Sequence, residues 1–145
     1  MVWTNFSVYD VGGGGDCEAN SIWELENGTT QAFVGDMIYK DNFTYMNDGQ
    51  ILRWLANLDR YSSLLKDAEN LYIGHGPESN FDMIEKQKEY LHVYCSTLLQ
   101  VAGTNTFLDE ALTEKFVQTM ESKFPSYGLN FMVGLSANKV LSELV

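Results

Sequence analysis

The chain has 145 residues, the size of one ordinary domain, and its 45% hydrophobic and 13% aromatic content suits a folded protein with a sizeable core. The balance of 9 Lys and Arg against 20 Asp and Glu leaves a formal net charge of −11, which disfavours nucleic acid and anionic membrane surfaces as partners. No apolar run is long enough to span a bilayer, and Met1-Val2-Trp3-Thr4-Asn5 lacks the basic-then-apolar pattern of a secretory leader, so a cytoplasmic setting is expected.

From the N-terminus, Phe6 to Val11 alternates apolar and polar residues, the mark of a strand with one buried face. The run Val11-Gly12-Gly13-Gly14-Gly15-Asp16-Cys17-Glu18 follows. Its glycines read either as a loop where backbone approaches something closely or as a flexible join. A phosphate cradle is a poor third reading, because the run leads into alternating residues and has no nearby Lys. Ser21 to Glu26 alternates again, Asn27-Gly28 supplies hairpin-turn chemistry, and Thr30 to Gly35 is the returning strand.

From Asp48 the period changes to that of a helix, with Asp48 as its cap and Ile51, Leu52, Leu55, Leu58 and Leu65 along one face. Asn70-Leu71-Tyr72-Ile73 is a short buried strand, stopped by Gly74-His75-Gly76-Pro77. Ser79 or Asn80 caps the next helix, whose face carries Ile84, Leu91, Tyr94, Cys95 and Leu98. Two more helices are expected, about Leu108 to Glu121 and about Leu129 to Leu144. Cys95 reads as a buried thiol, and with Cys17 the only other cysteine, a reducing compartment fits better than a disulfide. The three Asn-x-Ser/Thr sequons, at Asn5, Asn27 and Asn42, carry no weight without a leader.

This order predicts an α/β chain in which helices cover one face of a small sheet and the other face lacks a cover. A β-rich part, residues 1–79, and a helical part, residues 80–145, form one domain.

Two strand ends carry chemistry: Val34-Gly35-Asp36 and Ile73-Gly74-His75-Gly76. A carboxylate and an imidazole at neighbouring strand ends can converge above a sheet edge and suit a borderline divalent cation such as zinc. Flanking glycines allow tight turns and leave space. Each motif alone is weak. Gly-Asp after a strand is usually a plain turn, and a lone His is more often structural. The other histidine, His92, falls on a charged helix face and reads as solvated.

Taken together, Phe33-Val34-Gly35-Asp36-Met37-Ile38-Tyr39 and Tyr72-Ile73-Gly74-His75-Gly76-Pro77 resemble the C-terminal half of the metallo-β-lactamase superfamily. The likeness runs on through Tyr45 to Gln50 and the helix carrying Trp54 to Asp59. It implies half of an αββα sandwich, a small mixed sheet covered by helices with a helical C-terminal tail. It also implies a metal-dependent hydrolase of small-molecule substrates, with Asp36 and His75 as ligands of zinc or another divalent metal. Counting along the family pattern puts Cys17 in a third ligand slot, where it is either a thiolate ligand or part of an ordinary loop. The family's His-x-His-x-Asp-His motif is absent. The resemblance therefore implies the C-terminal portion of such a hydrolase, inefficient alone, completed by an N-terminal half. The alternative is a non-catalytic half-fold that dimerises through its open sheet face.

Overall fold

A computed structural model describes residues 5–26 and 28–145; the leader reading at Met1–Thr4 and the Asn27 half of the hairpin turn lie outside them. Four strands, β1 (Asn5–Gly12), β2 (Asn20–Glu26), β3 (Thr30–Tyr39) and β4 (Asn70–His75), form one sheet in the order β1-β2-β3-β4. The first two pairings are antiparallel, and β3–β4 is parallel, joined by the crossover helix α1 (Ile51–Leu64). Helices α2 (Asp82–Ala102), α3 (Glu110–Lys123) and α4 (Phe131–Leu144) follow. The mixed sheet with its helical layer is the one expected from the element order, and it is consistent with the half-sandwich that the resemblance implies. None of the described helices is long and apolar enough to cross a membrane.

Alternation sorts each strand by face. Val11, Ile22, Ala32, Val34 and Leu71 are buried toward the helices. From α1 come Ile51, Trp54, Leu58 and Tyr61, spaced so that one helical face meets the sheet. Each such side chain, fully buried, stabilises the fold by roughly 1.5–3 kcal/mol. The Trp54 indole N–H donates to the Met37 carbonyl at 3.1 Å, so the largest core side chain also satisfies its polar atom. Leu52, expected on this face, is exposed instead; Trp54 takes the inward position.

The sheet's other face is open. Val8, Trp23, Phe33 and Tyr72 are cross-strand neighbours and make one row across all four strands. Phe6 meets Trp23 edge-on at 5.2 Å, and Phe33 stacks on Tyr72 at 4.7 Å. Phe6, Val8, Trp23 and Phe33 are all exposed, around a shallow depression of about 500 Å3. Patches of this kind mark contact sites in soluble proteins.

Several element ends differ from the sequence reading: β4 runs on through Gly74 to His75, and the residue before α2 is Phe81, with no side-chain cap from Ser79 or Asn80. β3 does not stop at Gly35: the chain bulges there, with Gly35 at φ +54, and continues paired to Tyr39. Met37, Ile38 and Tyr39 are buried in succession, so the in-and-out alternation ends here. At α1, the residue before the helix is Gln50, in left-handed conformation with no cap from its own side chain, and not Asp48. Asp109 does cap α3, accepting from the Leu112 N–H at 2.9 Å.

The two later helices pack on α2 and on each other, and α4 also reaches α1. Phe124 and Tyr127, in the turn between α3 and α4, close on Phe43 and Tyr90 in an aromatic cluster. The same turn is tied to the end of β3 by backbone bonds from Phe43 N–H to Gly128 and from Gly128 N–H to Asp41. Cys95 is half-buried in α2, its thiol pushed up to about 11 by burial.

Candidate functional site

Parallel pairing brings the C-terminal ends of β3 and β4 to the same edge, and this decides where the chemistry sits. Register runs from Gly35 opposite Ile73 to Tyr39 opposite His75, and the Lys40 N–H closes onto the His75 carbonyl at 2.9 Å. His75 Nε2 stands 3.5 Å from Asp36 Oδ1, each side chain about two-fifths exposed. The His75 ring stacks on Tyr39 at 4.8 Å with an interplanar angle of 18°, so the ring plane is set by packing from behind.

Gly74 is required by this geometry. A Cβ on it would overlap the Asp36 carboxylate, which lies directly over the glycine backbone. The glycine beside the imidazole thus makes room for the acid.

The glycine run is a close approach and not a loose join. Gly13, Gly14 and Gly15 are buried, and a Cβ on any of them would collide with Gln50, Arg53 or Asn20. Gly12 and Gly14 hold φ of +66 and +90, which glycine adopts without strain. The loop carries Asp16 into the field of the Asp36 carboxylate. Burial first, and the Asp36 charge second, hold the Asp16 carboxyl above its usual 3.8. Burial, assisted by the charges of Asp16 and Asp36, raises the Tyr39 hydroxyl as well.

Cys17 is the next residue along this loop. Its thiol contacts the Ala19 carbonyl at 3.2 Å and Asn20 Oδ1 at 3.5 Å, and burial raises its pKa. It borders a hollow of about 480 Å3 with Glu18, Ala19 and Asp48. The structure therefore brings Asp36 and His75 together, and places near them the charge of Asp16, which sequence reasoning passed over as a mere neighbour of Cys17. A count of acids beside the glycines would have raised it.

Carboxylate and imidazole are oxygen and nitrogen donors of the kind a divalent cation takes, and Gly74 leaves them space. In number they fall short: among the described residues no group of three His, Cys, Asp or Glu side chains is disposed to hold a metal ion.

No family model matches the sequence, and no curated protein matches it either. Among solved structures it is similar to VMB-1, a metallo-β-lactamase, with a TM-score of 0.54 and 22% identity. The match covers 61% of this chain and 41% of that one. Over the matched part the likeness is one of fold. It spans about two-fifths of the solved chain it matches, which accords with a half-sandwich bearing one open sheet face.

Proposed function

We propose that the chain is the C-terminal portion of a metal-dependent hydrolase of the metallo-β-lactamase fold, with Asp36 and His75 contributing to its metal centre. The observation that carries this reading is their 3.5 Å approach at the shared end of two parallel strands. A divalent ion bound there, zinc being the first choice, would supply Lewis acidity and lower the pKa of a coordinated water.

The chain's own residues have simpler tasks. Asp36 offers oxygen donors at the sheet edge, and His75 offers Nε2 on a ring oriented by Tyr39. Asp16 adds a second carboxyl group, and Cys17 a thiol that would have to turn from Ala19 to join them. A second half, carrying the missing histidine motif and packing on Val8, Trp23, Phe33 and Tyr72, would complete both the core and the centre. Small-molecule substrates belong to that assembled form. The isolated chain is expected to hydrolyse lactones, thioesters and β-lactams poorly; efficient turnover abolished by Asp36→Ala would overturn that expectation.

Isothermal titration with Zn2+ tests the site directly. Weak uptake by the chain, lost in Asp36→Ala and in His75→Ala, supports the reading. Identical titrations for all three proteins refute it.

The exposed aromatic row favours a second reading, a half-fold that serves as a dimerisation module. Two copies sealing each other's open faces would bury Trp23 and Phe33 about a two-fold axis. Oligomeric mass together with metal content separates the readings: a metal-free dimer favours the module, and a metal-binding monomer favours the hydrolase half.

A further inference from the structure

Strand β3 loses a neighbour part-way along. β2 pairs with it only from Thr30 to Phe33, so beyond Phe33 the backbone groups on that side of β3 have no strand to bond. Backbone direction alternates along a strand, and this sorts the groups at the far end. Lys40 faces β4, donating its N–H to the His75 carbonyl at 2.9 Å, which puts Met37 and Tyr39 on the side that β2 has left.

Helix side chains take the place of the strand there. The Trp54 indole of α1 serves the Met37 carbonyl. The Gln87 side chain of α2 serves the Tyr39 N–H, accepting with Oε1 at 2.9 Å. Because an N–H only donates, the amide has to turn its oxygen to Tyr39, which leaves its nitrogen for another acceptor. Nε2 donates to Thr44 Oγ1 at 3.3 Å. Gln87 and Thr44 are 2% and 0% exposed, so both bonds lie out of reach of bulk solvent. One side chain thus ties the end of β3 to the loop that follows it.

The residue held in this way backs the pair at the sheet edge. Tyr39 stands opposite His75 in the ladder, and its ring stacks on the imidazole. From that stacked position Nε2 of His75 approaches Asp36 Oδ1. Without Gln87 a buried donor would be stranded at Tyr39, and the strand end would have to move to reach water. The ring and the neighbouring Lys40–His75 bond would move with it.

We infer that Gln87 is a positioning residue for His75: standing in for the missing strand at Tyr39, it keeps the tyrosine ring against the imidazole and the imidazole turned to Asp36. This role involves no metal ion, so it stands or falls apart from the hydrolase reading.

The test uses the full chain in buffer containing a chelator. NMR reads the ring-proton shifts of His75 at about pH 9, where an ordinary imidazole is neutral. The exposed His92 on α2 serves as internal reference. Amide exchange at Lys40 is read at neutral pH. Tyr39→Leu supplies the shifts of an unstacked His75. Gln87→Met, of similar volume but without the amide, is expected to move the His75 shifts toward those of Tyr39→Leu and to speed Lys40 exchange about tenfold. The His92 shifts should stay in place. Thr44→Val, which removes only the second bond, should move the same readings less far. His75 shifts that stay put in Gln87→Met while Tyr39→Leu moves them overturn the role. So do His75 shifts that Tyr39→Leu itself leaves unmoved, since no stack then exists to be held. Where Gln87→Met does not fold, Thr44→Val decides alone, and unchanged His75 and Lys40 readings in it overturn the role.

Discussion

Glu143, near the end of the last helix, caps the first: its carboxylate accepts from the Ile51 N–H at 2.9 Å and, with its other oxygen, from the Gln50 N–H at 2.6 Å. These are among the free amides that begin α1, and a negative charge there also complements the helix dipole. Glu143→Ala is therefore expected to cost about 1–2 kcal/mol in urea unfolding. Glu143→Gln should retain part of that, since an amide oxygen still accepts. A loss below about 0.3 kcal/mol for Glu143→Ala would show that solvent replaces the cap.

Gly74 carries the most restrictive steric condition at the site. Gly74→Ala puts a methyl group where the Asp36 carboxylate lies and pushes that group off the edge. Zn2+ affinity should fall by ~10- to 100-fold, the range for disturbed support of a metal ligand. Its circular dichroism should stay that of the unsubstituted chain. Full affinity in this variant would mean that Asp36 is not a ligand.

Asp16 gives a pH signature with a definite sign. Its folded-state pKa is raised above 3.8, so ionising it opposes folding. The penalty is absent below about 3.8, grows as pH rises through the raised folded value, and is complete above it. In metal-free buffer containing a chelator, Asp16→Asn should melt at higher temperature than the unsubstituted chain at pH 7. The two should melt together at pH 3. A constant difference across that window would place the effect in packing and not in charge.

The open sheet face can be probed without touching the core. Trp23→Thr with Phe33→Thr keeps β propensity while removing two of the exposed rings. Binding of a hydrophobic dye and any concentration-dependent association should both drop, with the melting temperature of the chain little altered. Persistence of the association would assign it to another surface.

The sequence made the alternating strands, α2 and the Asp36–His75 pair legible, because period and glycine punctuation are local signals. Asp16 was hidden by a choice between adjacent residues that only the loop's path could make. The α1 cap was misread for a similar reason: Asp48 has a capping side chain, but the acid that reaches the helix end is Glu143, from the far end of the chain. Asn57 looked like one more polar residue on an amphipathic helix. Its two bonds to glycine carbonyls depend on a tertiary approach that no spacing announces.

The parallel pairing of β3 and β4 has a last consequence, for how this edge can change over time. The gap between Asp36 and His75 is set by the strand-to-strand spacing, about 4.8 Å, and by the bulged stretch of β3 between its Gly35–Ile73 and Tyr39–His75 pairs. The length of α1 and of its connecting loops does not enter it. Insertions or deletions in that crossover could therefore accumulate and reshape the surroundings while the acid and the imidazole keep their distance. The bulge that follows Gly35, where β3 runs from Gly35 to Tyr39 against Ile73 to His75 of β4, is the part of the ladder that has to be kept.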